Sequence, residues 1–381
     1  MNTTNFDLID WECIDSDTKY LTHNIHRYSG KFIPQIAKNA IELITKPGDL
    51  VLDVYCGSGT TLLECLLSGR RSIGIDLNPV AKLITDVKIK YIDKEKLKEW
   101  REHFIISILS LTSNQHDLLY SELQITSSES ESLKNKVNDE WFSKWFQALP
   151  LELLGKIQIL IDRIEDIDLK NIATLVMSDI LRKNSNAHSS YPNVMFDKKK
   201  RELGSPINSY IKRLNEVCDA VIELSECNIS PDMTPCTILG SNTDLKLDSE
   251  SIDAIVTHPP YIGSVPYAEY GILSLKWLGY DPKKLDSELT GGQRQRKVVV
   301  DRFQSDYHQM FSESYRVLKE KGYMFIMVGN PTVKGELIDL SKMSDEAAIS
   351  NGFKKIREIK RNGVNRRANK MGKESMIFYQ K

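Results

Sequence analysis

Between Asp49 and Asp76 the chain reads Asp-Leu-Val-Leu-Asp-Val-Tyr-Cys-Gly-Ser-Gly-Thr-Thr-Leu-Leu-Glu, a short apolar stretch, Gly69, and then Arg71-Ser-Ile-Gly-Ile-Asp76. Few folds admit that order. The apolar run Leu50 to Val54 predicts a buried strand, and Gly57 and Gly59 predict a turn whose backbone can approach a ligand. Thr60 to Leu67 reads as a helix closed by Gly69, and Arg71 to Asp76 as a second strand. A strand, glycine turn and helix in succession aim helix N–H groups at a bound small molecule, as in nucleotide-binding α/β folds. Asp76, about twenty residues past the turn, is positioned to accept both hydroxyls of a ribose. The dinucleotide fingerprint is incomplete, because Thr60 to Leu63 offers no third glycine.

A second constraint lies far downstream, at Ile252-Asp-Ala-Ile-Val-Thr-His-Pro-Pro-Tyr261. An apolar strand stops at two prolines and an aromatic ring. Pro259 disfavours helix at His258, and neither proline donates to a sheet ladder, so the segment predicts a rigid extended corner. It gathers an imidazole, the Pro259 carbonyl and a tyrosine, a set suited to a planar ligand that carries an amine. A plain strand-ending loop, with His258 bonded to a local carbonyl, is the competing reading.

Together these stretches resemble the S-adenosylmethionine-dependent DNA amino-methyltransferases, which methylate adenine N6 or cytosine N4. Asp53-Val-Tyr-Cys-Gly-Ser-Gly-Thr-Thr is similar to their cofactor loop, and Thr257-His-Pro-Pro-Tyr261 to their catalytic Asp/Asn/Ser-Pro-Pro-Tyr motif. His26-Arg-Tyr-Ser-Gly-Lys-Phe-Ile-Pro-Gln35 resembles the segment over the methionine end of the cofactor. Gly240-Ser-Asn-Thr-Asp-Leu245 stands where the family has a turn near the cofactor adenine, and Tyr315 to Gly329 resembles a later helix-turn-strand. The resemblance covers residues 20–94 and 236 to the end. It implies an α/β, Rossmann-like methyltransferase sheet with helices on both faces. It implies cofactor contacts from His26, Lys31, Phe32, Asp53, Cys56, Gly57, Ser58, Gly59, Thr60, Asp76, Leu77, Ser241 and Asn242, and catalysis at His258, Pro259, Pro260 and Tyr261. Two positions depart from the pattern: His258 replaces Asp, Asn or Ser, and Ser241 stands where an acid is common.

The chemistry follows from the residue types. An exocyclic amine conjugated into a base is a poor nucleophile, and two acceptors that pull its hydrogens out of plane localise its lone pair. The Pro259 carbonyl and a neutral His258 are the candidates, and an imidazole that titrates near neutrality can also take the released proton. Transfer is then an in-line displacement at sulfonium, governed by positioning and polarisation, with no metal required. Tyr261 is expected to stack on a base flipped from its duplex. The Thr-x-Pro-Pro-Tyr context favours cytosine N4. Adenine N6, an RNA amino-methyltransferase and a degenerate DNA-recognition subunit are the alternatives.

The middle of the chain resembles nothing specific. Residues 95–235 read as a mainly helical insert and possible target-recognition lobe between two parts of a catalytic domain, 1–94 and 236–381. Trp100, Phe104, Ile105 and Ile108 fall on one helical face; Trp141, Phe142, Trp145 and Phe146 form another stripe, and Leu151 to Ile167 a third. Ser110 to Ser132 is polar and reads as a mobile loop. The aromatic helix after the corner (Tyr267, Tyr270, Leu273, Leu275, Trp277, Leu278) reads as packing.

The formal net charge is −1, so no global basic signature marks a nucleic-acid binder, although local charge is what meets phosphate. Three basic stretches supply it: Lys198, Lys199, Lys200 and Arg201; Arg294 and Arg296; and Arg361, Arg366 and Arg367. Double-stranded DNA is the expected partner, with a cognate restriction endonuclease alongside. Six cysteines occur without a Cys-x-x-Cys pair, no signal peptide is evident, and no apolar stretch is long enough to span a bilayer, which together predict a reduced, cytoplasmic protein.

Overall fold

Strands β1 (Leu50–Asp53), β2 (Arg71–Asp76), β3 (Cys236–Leu239), β4 (Ile252–Thr257), β5 (Leu318–Gly329), β8 (Lys354–Arg361) and β9 (Glu374–Gln380) form one seven-stranded sheet in the order β3-β2-β1-β4-β5-β9-β8; β6 (Thr332–Val333) and β7 (Glu336–Leu337) pair separately. The computed structural model describes residues 6–381 apart from 112–124, 189–190, 192, 200–201, 231–232, 263–265, 293–298, 334–335 and 363–373. Pairing is parallel from β3 through β5, and β9 runs antiparallel to both its neighbours. The chain steps outward from β1 to β2 and β3, then crosses to the other side of β1 with β4 and β5. The gap between the tips of β1 and β4 is therefore the topological switch point, where open α/β sheets bind ligands.

Both faces are covered, as the α/β reading requires. On β9, Met376 and Phe378 point into a core with helix Pro34–Ile44, while Ile377 and Tyr379 point into the opposite core with helices Val299–Val317 and Leu340–Ser350. That alternation is the period-two signature of a strand buried on two sides. Helix Thr60–Leu67 follows β1 directly, and Gly69 takes φ +71° just beyond it.

The insert enters after helix Pro79–Lys88, which follows β2, and returns at edge strand β3. Among the described residues it comprises helices Lys94–Ser110, Ser127–Asn138, Glu140–Trp145, Ala148–Asp162, Ile167–Leu181 and Pro206–Ser225. Phe104, Ile108, Trp145 and Phe146 are buried in its core, which is continuous with Val80 and Ile84 of the sheet's own helix. Two expectations are corrected here. The polar run through Ser132 is not all loop: residues 112–124 lie outside the described ones, but Thr126 and Glu129 form a reciprocal capping box that starts helix Ser127–Asn138, and Arg163 anchors Glu129 at 2.7 Å. The stripe from Leu151 to Ile167 is two helices, divided where Asp166 caps the second. No helix among the described residues is long and apolar enough to cross a membrane.

Candidate active site

The tips of β1 and β4 are bonded to each other. Asp53 Oδ1 accepts from Thr257 Oγ1 at 2.6 Å and from the Tyr55 N–H at 3.1 Å, and Thr257 Oγ1 accepts from the same N–H at 3.2 Å. Asp53 is 3% exposed, so it braces the glycine turn against the strand that carries His258 and does not line the cleft. Burial raises its carboxyl to about 6 against the hydrogen bonds from Thr257, Thr61 and Tyr55. The folded state thus holds a proton that the unfolded chain has released, and stability present at acid pH is lost as pH rises through about 6. Asp53→Asn keeps an acceptor oxygen for both bonds and removes the buried charge. It is expected to stabilise the fold at pH 7–8 by up to about 3 kcal/mol and not at all near pH 4, which thermal unfolding at the two pH values measures.

At the tip of β2, Asp76 accepts the Gly57 N–H on Oδ2 and the Asn78 N–H on Oδ1, each at 2.8 Å. These bonds hold the glycine turn beside the carboxylate, and burial raises Asp76 above the usual carboxylate range. A cleft opens at the strand tips, lined by Gly57, Asp76, Leu77 and Asn242 after β1, β2 and β3 and by His258 and Pro260 after β4. Six of the residues singled out in the sequence thus meet across the switch point. The cleft also takes in Tyr28, Tyr55, Asn78, Tyr267 and Thr290, which sequence reasoning missed as site residues. Tyr28 lies in a quoted motif without a role, and Tyr267 is concealed in a stripe whose Leu273, Leu275, Trp277 and Leu278 do pack.

Whether these residues suit a nucleoside cofactor is answered by two polar atoms. Tyr55 Oη and Asn242 Nδ2 are buried and make no hydrogen bond of good geometry among the described residues, although Asn242 and Thr290 are close enough to act on the phenol. A buried polar group left unpaired costs about 1–3 kcal/mol, so it marks a place for a ligand atom. With the Asp76 carboxylate lining the cleft and a glycine turn at the head of a helix, the polar set fits S-adenosylmethionine. When bound, that group supplies an electrophilic methyl on sulfonium; the chain's part is to hold the acceptor amine in line with it.

Other expected contacts fall elsewhere. His26 bonds the Arg27 carbonyl through Nδ1 at 2.8 Å and Ser178 through Nε2 at 3.0 Å, tying the N-terminal segment to the insert and lining a neighbouring cleft. Lys31 donates to the His23 and His26 carbonyls at 2.9 and 2.8 Å and is lowered by burial to about 8, a clasp on its own segment. Cys56 is buried beneath the turn with Sγ 3.8 Å from Thr85 Oγ1. Ser58 and Thr60 are buried, and Ser241 Oγ bonds Thr243 Oγ1 at 2.8 Å. Phe32 packs against the His258 ring, 5.3 Å away, and stacks on Phe325.

The corner after β4 carries two corrections. Burial lowers the His258 imidazole to about 4, which favours a neutral ring at neutral pH over a group that titrates there. Tyr261 does not offer its ring to a substrate. It is 5% exposed, its ring lies against Gly329 where a Cβ would come within 3.3 Å, and its hydroxyl bonds His258 Nε2 at 2.7 Å. Burial holds the phenol well above its ordinary pKa, so that bond keeps its proton.

Of the basic stretches, Lys198 and Lys199 are exposed, whereas Lys200, Arg201, Arg294, Arg296, Arg366 and Arg367 lie outside the described residues. Arg361 is a correction. It ends β8, is 5% exposed, pairs with Glu374 at 2.8 Å and donates to the Glu12 carbonyl, so it is a strut inside the protein and cannot meet phosphate.

A family model described as DNA methylase, of the N6/N4 type, matches residues 4–86. The Type II methyltransferase M.MvaI of Kocuria varians is 27% identical over 90% of this chain and 83% of its own length. The Type II methyltransferase M.MjaII of Methanocaldococcus jannaschii is 26% identical over 92% of this chain and 78% of its own. A solved S-adenosylmethionine-dependent methyltransferase from Methanosarcina mazei, 11% identical, covers 90% of this chain and 96% of that one at a TM-score of 0.36.

Proposed function

We propose, for a chain that belongs to the S-adenosylmethionine-dependent DNA amino-methyltransferases of the N4/N6 family, that the atom alkylated is N4 of cytosine. The observation that carries this reading is the neutral, crowded corner at His258. An imidazole fills more of the corner than Asp, Asn or Ser, and it is flanked by Phe32 and Tyr261 at 5.3 Å each. A single-ring pyrimidine suits that space better than a purine. The experiment is direct: incubate the protein with labelled cofactor and mixed genomic DNA, digest, and identify the modified nucleoside by mass spectrometry. N4-methyldeoxycytidine supports the reading, and N6-methyldeoxyadenosine overturns it.

In this reading His258 is the catalytic acceptor. In the tautomer this reading needs, Nε2–H donates to Tyr261 Oη, which leaves the Nδ1 lone pair to bond the amine, while the Pro259 carbonyl accepts its second hydrogen. Tyr261 is then a positioning residue. Tyr261→Phe is expected to lower kcat about tenfold with the DNA KM unchanged, because the ring loses the partner that selects one tautomer. Equal changes in kcat and KM would count against that role.

The reading extends to organisation. Residues 1–94 and 236–381 form the catalytic part, and the helical insert over 95–235 reads the target, with Lys198 and Lys199 meeting phosphate. A cytoplasmic enzyme that protects host DNA against a cognate endonuclease is the biological setting consistent with Type II relatives.

A further inference from the structure

With Tyr261 turned into the core, the motif's own aromatic ring presents no face to a base, and a flipped base beside His258 needs another platform. Stacking on an aromatic side chain is what holds an unpaired base in a protein cleft. Three other tyrosines line the cleft that contains His258 and Pro260. The Tyr55 hydroxyl is buried in the floor. Tyr28 lines both this cleft and its neighbour, but its ring is held over the glycine turn, where a Cβ on Gly57 would meet its Cε1 at 3.3 Å. Tyr267 is left. It stands outside Tyr28, with ring centroids 5.8 Å apart and planes 29° apart, and its hydroxyl lies against Gly30.

The surroundings of Tyr267 point the same way. It belongs to the wall of a second cleft of about 320 Å³ between the sheet domain and the insert, a size that accommodates a small ligand. That cleft is lined by Arg27, Arg182 and Lys183 together with Ser178, Tyr270 and Asp179, whose carboxylate is paired with Arg213 at 2.7 Å, and Arg27 and Lys183 are exposed. Tyr267, which with Tyr28 and Asn78 lines both clefts, thus has the His258 corner on one side and a cleft with three basic side chains and one carboxylate on the other. A nucleotide entering along that cleft, its phosphate against the basic side chains, brings its base onto Tyr267 and its amine toward His258.

We infer that Tyr267 is the stacking platform for the flipped target base, in place of the tyrosine of the Pro-Pro-Tyr motif. The inference rests on His258 marking the transfer corner, but not on which base is methylated. To test it, the methylated position is first mapped on genomic DNA, and a short duplex is made with 5-iodouracil at that position. The full-length protein is then irradiated on this duplex with S-adenosylhomocysteine present, and the adduct is located by mass spectrometry. An adduct on Tyr267 is expected; one on Tyr261, or none within 266–271, overturns the inference.

Kinetics supply the second arm. Tyr267→Phe is expected to keep the DNA KM within about threefold, whereas Tyr267→Leu raises it about tenfold to a hundredfold with cofactor Kd and Tm unchanged. Equal effects of the two substitutions, or a matching loss of cofactor binding, overturn the inference as well. A failure to find any methylated base sinks the underlying reading at the mapping step, whereas a mapped site with an adduct on Tyr261 sinks this inference alone.

Discussion

Replacing His258 by alanine is expected to lower methyl transfer about 10²–10⁴-fold while the cofactor Kd stays within about twofold. The separation follows from where the groups sit. The cofactor's expected partners come from the tips of β1, β2 and β3, namely the glycine turn, Asp76 and Asn242, whereas His258 follows β4 across the switch point. Its acceptor nitrogen matters only once an amine is being polarised, which is the condition for an effect on kcat rather than on ground-state binding. His258→Asn restores an acceptor carbonyl and should recover part of the loss. Single-turnover transfer from labelled cofactor, beside calorimetric cofactor binding, measures both quantities. Parallel loss of both would mean that His258 is part of the pocket's frame.

The pH dependence has a definite sign. Burial lowers the imidazole to about 4, so the acceptor form is present throughout neutral and mildly acid solution and is protonated only near pH 4. Turnover limited by His258 should therefore be flat from pH 8 to about pH 5 and fall below it. A decline near pH 6, as for an ordinary histidine, would count against this burial-lowered imidazole. In stability the same group acts opposite to Asp53. The unfolded chain takes up a proton near the ordinary imidazole value of 6.5 that the folded chain refuses, so stability is lost as pH falls through that range.

The backbone of this arrangement was legible in the sequence because it rests on local rules. Leu50 to Asp76 folds as its apolar runs and glycines dictate, and the corner ends where Pro259 forces it to. Even the missing third glycine has a readable counterpart. Its usual task is to let helix and strand approach, and here Gly74 does this from the strand, where a Cβ would lie 2.9 Å from the Leu62 methyls and 2.4 Å from Cys56 Sγ. Side-chain direction was not legible, because it depends on partners remote in the chain. Tyr261 turns inward because Gly329, 68 residues away on β5, leaves room for its ring. Arg361 reads as a DNA contact until Glu374 on the neighbouring strand and the Glu12 carbonyl are found beside it. Tyr267 shares a helical stripe with Leu273 and Trp277, and only the three-dimensional position of the cleft separates it from them.

Gly59→Ala carries the other large effect. Gly59 sits at φ +74° as the residue before helix Thr60–Leu67, a conformation that costs an L-residue roughly 1–2 kcal/mol. Crowding adds to this, since a Cβ there would lie 2.5 Å from Thr85 Cγ2 and 2.8 Å from Thr85 Oγ1. Thr85 cannot simply withdraw: its hydroxyl bonds the Gly57 carbonyl at 3.1 Å, so a shift in Thr85 drags the turn that faces the cleft. The expected result is cofactor affinity weakened about a hundredfold or more, read by calorimetry on the folded protein. A Gly59→Ala, Thr85→Ala pair separates the two causes. Removing the threonine methyl and hydroxyl relieves the contact but leaves the left-handed backbone, so the double variant should bind better than Gly59→Ala alone and remain about tenfold weaker than wild type. Wild-type affinity in Gly59→Ala itself would mean that the turn does not hold the cofactor, and the nucleoside-binding reading of β1 and β2 would fall with it.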